Sequence, residues 1–204
     1  KVVIQTDARR RPFSSLERPP TPGATLELTI DQQLQYIVER ELEAGVRENG
    51  ADGGAAVMMD PWTGEILAMA NWPAFNPNDY RNSKEEQRRN RAIQDIYEPG
   101  STFKVVTASA ALEQHVVTPD QLIDASGGRI KLGKSRVVRD THDYGVISFT
   151  DVIVKSSNVG AIRVGLRLGP RRLTEHVRRF GCGRQSAPDF PAESSGLVWD
   201  PEKL

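Results

Sequence analysis

Two short apolar runs, Ala55-Ala56-Val57-Met58-Met59 and Ile66-Leu67-Ala68-Met69-Ala70, stand on either side of Asp60-Pro61-Trp62-Thr63-Gly64. Runs this short, bounded by Asp-Pro and Gly, predict a β-hairpin, and their lack of alternation predicts burial on both faces. Met58, Met59 and Met69 then serve as core filler. Just upstream the period becomes helical: Leu34, Ile37, Val38, Leu42 and Gly45 form one apolar stripe. Thr29 is placed to cap that helix, with Gln32 three residues on as in a capping box and Asp31 at the positive dipole end. At 204 residues the chain can bury one sizeable core around this helix and hairpin.

Before the helix, Val2-Val3-Ile4 reads as a strand and Asp7 to Pro12 as a solvated charged turn. Pro19-Pro20-Thr21-Pro22-Gly23 is a linker that marks a boundary near residue 24. After the hairpin, Pro73, Asn76, Pro77 and Asn78 mark an irregular segment. Lys84 to Arg91 mixes Glu with its basic residues, as a solvated stretch does. Gly127-Gly128 reads as a turn, and Ile130, Val137 and Val138 as short strands. Ile162, Val164, Leu166 and Leu168 predict a buried segment. Leu173, Val177 and Phe180 continue at helical spacing to Gly181 as C′ residue.

Lys plus Arg and Asp plus Glu number 27 each, so no net field points to nucleic acid. Cys182 is the single cysteine, which excludes an internal disulfide and a cysteine-based metal cluster. His115, His142 and His176 lack metal-ligand spacing, and no glycine-rich phosphate loop is present. No apolar stretch is long enough to cross a bilayer. A start at Lys1, without methionine or a signal-like segment, is expected of a piece of a longer chain.

The reactive residue types converge at Glu98-Pro99-Gly100-Ser101-Thr102-Phe103-Lys104. Pro99 and Gly100 break the preceding structure, and the apolar run from Val105 to Leu112 predicts that a helix starts here. Positions i and i+3 share a helical face, so Lys104 can reach the Ser101 hydroxyl. A lysine whose pKa is lowered by burial or nearby cations can take the serine proton and create a nucleophile. The first helical turn adds unpaired N–H groups suited to an oxyanion. The plain alternative is an N-terminal serine beside a solvated lysine. A second polar interruption, Ser156-Ser157-Asn158, lies 55 residues on, between apolar flanks. It reads either as a helix junction capped by Ser or Asn, or as a relay hydroxyl at Ser156 and a substrate-binding amide at Asn158. Asp140-Thr141-His142-Asp143 offers a His-Asp pair, but Lys104 is the closer base for Ser101.

In this order the two elements resemble the penicillin-binding transpeptidases and serine β-lactamases. Leu28 to Gln35, Asp60 to Met69, Asn90 to Lys104, and Gly181-Cys182-Gly183 leading to Pro191-Ala192-Glu193-Ser194 are similar to the monofunctional, class B branch; the resemblance covers roughly residues 24 to 200. It implies an α/β (α+β) transpeptidase fold, an antiparallel sheet against a helical subdomain, with residues 54–71 as the first two strands. Residues 1–24 would end an N-terminal pedestal domain and linker, and 25–204 would be the N-terminal portion of the transpeptidase domain. The family's third motif, Lys-Thr-Gly, Lys-Ser-Gly or His-Thr-Gly, does not occur in the sequence. Truncation before it, with the C-terminal part of the fold missing, is the expectation.

The resemblance further implies a serine D,D-transpeptidase that cross-links peptidoglycan stem peptides. Ser101 would attack the carbonyl of a terminal D-Ala-D-Ala to give an acyl-enzyme, with Lys104 as base. Ser156 would relay the proton to the leaving amine, and Asn158 would hold the substrate amide, with Lys155 a nearby electrostatic contributor. β-Lactam antibiotics would acylate the same serine, and no cofactor or metal is called for. Implied partners are stem peptides, β-lactams, a SEDS-family glycosyltransferase and other cell-wall machinery, with no nucleic acid. The implied location is the extracytoplasmic (periplasmic) face of the bacterial cytoplasmic membrane, through an anchor upstream of Lys1. Two alternatives stand beside this reading: a β-lactamase or D,D-carboxypeptidase, in which water accepts the acyl group, and a non-catalytic β-lactam sensor or scaffold.

Overall fold

The computed structural model describes residues 2–17, 21–186 and 192–200. Among them, strands pair antiparallel in four two-stranded sheets. β1 (Val2–Thr6), which includes the strand expected at Val2 to Ile4, pairs with β2 (Pro12–Glu17). Asp7 folds the charged turn between them: its Oδ1 accepts from the N–H groups of Arg9 and Arg11, both at 2.8 Å. The Pro19-Pro20 part of the linker lies outside the described residues.

α1 (Gln32–Glu48) stands where the stripe predicts it, but with a different cap. The Asp31 carboxylate accepts from the N–H groups of Gln33 and Leu34, both at 2.9 Å. Thr29 lies too far back for that role and donates to the Ile66 carbonyl at 2.6 Å instead. α1 packs on the hairpin of β3 (Gly54–Met59) and β4 (Ile66–Trp72). Val46 is the residue it buries, whereas Ile37 of the expected stripe is exposed. Gln35 satisfies the free edge of β4: its side chain accepts from the Met69 N–H at 2.8 Å and donates to the Met69 carbonyl at 2.9 Å.

The hairpin itself is as predicted, but its burial on both faces is not. Ala68 and Ala70 are buried, while Val57 and Met59 on the opposite face of the sheet are about half exposed. Met59 is therefore a surface residue and not core filler. A two-stranded sheet covered by one helix has one inner face, and here the outer face also carries apolar side chains, which hid the alternation. Beyond β4 the chain runs through α2 (Glu85–Arg88) and α3 (Arg91–Gln94). Asn71 of β4 holds this segment, accepting from the Ala92 N–H at 2.8 Å and donating to Asn90 Oδ1 at 2.9 Å. The approach to Ser101 is thereby tied to the hairpin.

The second lobe comprises α4 (Lys104–Glu113), β5 (Leu122–Asp124), β6 (Arg129–Leu132), β7 (Arg136–Arg139), β8 (Val146–Ser148), α5 (Phe149–Val154), α6 (Asn158–Leu168) and α7 (Pro170–Arg179). β6 and β7 contain the short strands expected at Ile130, Val137 and Val138 and pair as a small hairpin, and β5 pairs with β8. The core beneath the site contains Ala111, Val117, Ile123, Phe149, Val152 and Val159. The expected buried segment is the amphipathic helix α6: Val164 and Leu168 are buried, but Leu166 faces outward. Gly181 adopts φ 86° just beyond α7, a left-handed C′ position that glycine occupies without strain.

Candidate active site

Ser101 does not sit on the first turn of α4. It lies in a single 3₁₀ turn, Gly100–Phe103, whose last carbonyls pass directly into the helix at Lys104. Gly100 precedes it at φ 59°, a conformation open to glycine. Thr102 turns away and donates to the Pro99 carbonyl at 2.5 Å. Ser101 is left exposed with its hydroxyl over the start of α4.

Lys104, half-buried, brings the two sequence elements together. Its Nζ lies 3.2 Å from Ser101 Oγ, 2.8 Å from Ser156 Oγ and 2.5 Å from the Ser156 carbonyl oxygen. Ser156 Oγ closes the triangle at 3.1 Å from Ser101 Oγ. An ammonium has three protons, and three oxygens are arranged around it. The neutral amine has two protons and a lone pair, so the Ser101 contact can reverse and Ser101 can donate. Burial pushes the Lys104 pKa below the ordinary lysine value, and the charge of Asp140 opposes that shift.

Ser156 reaches the triangle because the chain turns sharply between α5 and α6. Its φ is 54°, left-handed for a residue with a Cβ, and its N–H donates to the Ile153 carbonyl at 3.0 Å. Ser157, fully buried, is the N-cap of α6 and accepts from the Gly160 N–H at 2.9 Å. The two readings of Ser156-Ser157-Asn158 thus divide between residues: Ser157 caps, while Ser156 and Asn158 face the site. Gly160 is required by packing, since a Cβ there would lie 2.6 Å from Val152 Cγ2. Asn158 donates its side-chain N–H to the Arg139 carbonyl at 2.9 Å, which leaves Oδ1 as its remaining acceptor. It borders, with Lys104, Gly100 and Phe103, a cleft of about 610 Å³.

Lys155 points elsewhere: its Nζ lies 4.0 Å from Asp151 and 5.9 Å from the centre of the Tyr144 ring. The His142-Asp143 pair is also turned away from Ser101; His142 packs edge-on to Tyr144, and Asp143 accepts from the Gly145 N–H at 3.0 Å. Asp140, which the sequence marked only as the start of the His142-Asp143 stretch, touches the site directly. Its carboxylate accepts from Ser157 Oγ at 2.7 Å, from the Val159 N–H at 3.1 Å and from the Asn158 N–H. Among the described residues no group of His, Cys, Asp and Glu could hold a metal ion, and no helix is long and apolar enough to cross a membrane.

The family model for the penicillin binding protein transpeptidase domain matches residues 54–204. The chain belongs to this family. Its relatives place it in the class B branch. It is 39% identical over 179 residues to "Penicillin-binding protein PbpB" of Mycolicibacterium smegmatis, covering 86% of this chain and 27% of that protein. It is 36% identical over 196 residues to "Peptidoglycan D,D-transpeptidase FtsI" of Escherichia coli, covering 96% of this chain and 33% of that one. Among solved structures, penicillin binding protein 3 of Mycobacterium tuberculosis complexed with aztreonam superposes with a TM-score of 0.78 at 36% identity, covering 87% of this chain and 40% of that one. The transpeptidase domain of Burkholderia pseudomallei penicillin-binding protein 3 gives 0.77 at 32% identity, covering 90% and 51%. The fold is therefore that of the penicillin-binding transpeptidases. The chain spans about a quarter to a third of the length of these curated relatives.

Proposed function

We propose that this chain carries the nucleophile and base of a serine D,D-transpeptidase that cross-links peptidoglycan stem peptides. The observation behind it is the closed triangle of Ser101 Oγ, Lys104 Nζ and Ser156 Oγ, with no edge longer than 3.2 Å. Ser101 Oγ attacks the carbonyl of the terminal D-Ala-D-Ala peptide bond and its proton passes to neutral Lys104. The proton returns through Ser156 to the departing amine, which leaves as D-alanine, and the serine ester remains. The amine of a second stem peptide then displaces Ser101 and forms the cross-link. Asn158 Oδ1 accepts from a substrate amide N–H at the edge of the cleft. Substrate carboxylate and oxyanion would be met by the Lys-Thr-Gly element that the family resemblance implies, which is not among these 204 residues.

The boundary near residue 24, with a pedestal segment before it, belongs to the same reading. So do an extracytoplasmic setting and work beside a SEDS-family glycosyltransferase. FtsI of Escherichia coli is a named peptidoglycan D,D-transpeptidase, and class B relatives make that acceptor chemistry the better supported choice over hydrolysis. Without the Lys-Thr-Gly element these 204 residues alone should react slowly or not at all. The test is therefore to give a form of the protein that includes that element a D-Ala-D-Ala stem-peptide donor with and without an amine acceptor and to follow both products by mass spectrometry. Cross-linked product that forms with release of D-alanine and stops on addition of penicillin is expected. D-Alanine release without cross-linking would make it a carboxypeptidase, rapid turnover of penicillin a β-lactamase, and neither reaction a sensor or scaffold.

A further inference from the structure

We propose that Asp140 is a positioning residue for this site: its carboxylate clamps the Ser156–Asn158 turn through three hydrogen bonds and presents its charge to Lys104. The inference rests on the functional reading above and adds a residue that this reading does not contain. Asp140 stands just beyond β7, where its own N–H donates to the Gly128 carbonyl at 2.9 Å. It is 18 residues before Asn158 in sequence, yet its Oδ1 accepts from the first two N–H groups of α6, those of Asn158 and Val159. Its Oδ2 accepts from Ser157 Oγ at 2.7 Å. Ser157 in turn takes the third N–H, that of Gly160. The helix already has a local cap in Ser157, so a serviceable start did not require a carboxylate from another element. What the carboxylate adds is a tie between β7 and the turn, repeated one residue earlier by the Asn158 side chain on the Arg139 carbonyl.

Charge is the second contribution. Arg136 on β7 borders the same cleft as Lys104. Lys155 at the end of α5 and Arg163 on α6 are turned to Asp151 and Asp124, respectively. Asp140 is the anion acting on Lys104, and it favours the ammonium against the effect of burial. It therefore steadies Lys104 at the moment when the lysine holds the proton of Ser101.

Asparagine and alanine substitutions separate the two contributions. In Asp140→Asn the amide oxygen can still accept from both N–H groups and the NH₂ can donate to Ser157 Oγ, so the clamp persists while the charge is gone. Asp140→Ala removes both. Amide hydrogen exchange at Asn158 and Val159 should accelerate about tenfold in Asp140→Ala and much less in Asp140→Asn. Titration of Lys104, followed by NMR with labelled lysine, should move to lower pH in Asp140→Asn, because the negative charge that held the proton has been removed. Penicillin acylation should fall about a hundredfold in Asp140→Ala. Exchange and acylation of Asp140→Ala at wild-type rates would overturn the clamp. An unmoved Lys104 titration in Asp140→Asn would overturn the charge role, and this variant decides the matter if Asp140→Ala does not fold. Acylation is read in a form of the protein that includes the Lys-Thr-Gly element, where failure of the wild type to acylate would count against the transpeptidase reading alone, since exchange and titration are read without turnover.

Discussion

Lys104 and Ser156 are each held in a state that an isolated residue would avoid, and each strain has a measurable consequence. Burial lowers the Lys104 pKa, so the neutral, accepting form becomes available below the pH at which an exposed lysine would lose its proton. The acylation rate should accordingly rise with pH through the Lys104 titration. Lys104→Arg stays protonated throughout, so its rate should fall about a thousandfold and lose that limb, as stopped-flow acylation with a chromogenic β-lactam would show. Ser156 occupies a left-handed conformation, a cost of about 1–2 kcal/mol that glycine escapes. Ser156→Gly should therefore be at least as stable as wild type in thermal melts, yet acylate about a hundredfold more slowly for want of the relay hydroxyl. The Ser101-Lys104 contact was legible as an i, i+3 spacing. The approach of Ser156 was legible only through family resemblance, because no local periodicity links positions 55 residues apart. The role of Asp140 was not legible: its stretch was noticed only for the His142-Asp143 pair, and two of its three partners are backbone N–H groups that any sequence would carry.

At the scale of elements, the site depends on how closely α5 and α6 approach. Gly160 allows the approach, since a Cβ there would meet Val152 at 2.6 and 2.9 Å and Ser157 Oγ at 3.1 Å. Both neighbours, Val152 and Ser157, are fully buried. Gly160→Ala is expected to destabilise by about 1–3 kcal/mol in denaturant titrations and to slow acylation by displacing Ser156. A helix propensity scale would predict the opposite sign, because alanine is the better helix former. The same tension between local rule and packing explains the hairpin. Its two apolar runs announced strands correctly, but the depth of burial depends on how many helices cover the sheet, and α1 covers one face. Likewise the cap of α1 fell to Asp31 because Thr29 found a better partner in β4.

At the scale of the whole molecule, α4 is held to α7 by an ionic clamp away from the reactive end. Glu113 at the end of α4 accepts from Arg179 at 2.8 Å and lies 3.0 Å from His176 Nε2, and the His176 side chain is buried. Hydrogen bonding from Arg179, then from His176, pulls the Glu113 carboxyl below its usual value. The resulting stability is complete above the unfolded carboxylate pKa of about 4.3 and is lost as pH falls through the lower folded value. Glu113→Gln should lower the Tm at neutral pH and flatten its decline between about pH 5 and 3 in calorimetry. The central claim is that Ser101 is the acylated atom. It is tested most directly by peptide mapping, after brief exposure to benzylpenicillin, of a form of the protein that includes the Lys-Thr-Gly element. Trypsin releases Ser101 within residues 92–104 and Ser156 within residues 156–163, so the two hydroxyls of the triangle separate into different peptides. A penicilloyl adduct on the 92–104 peptide, fragmenting to Ser101 and absent from Ser101→Ala, is the expected result; an adduct on residues 156–163, or one that persists in Ser101→Ala, would contradict it.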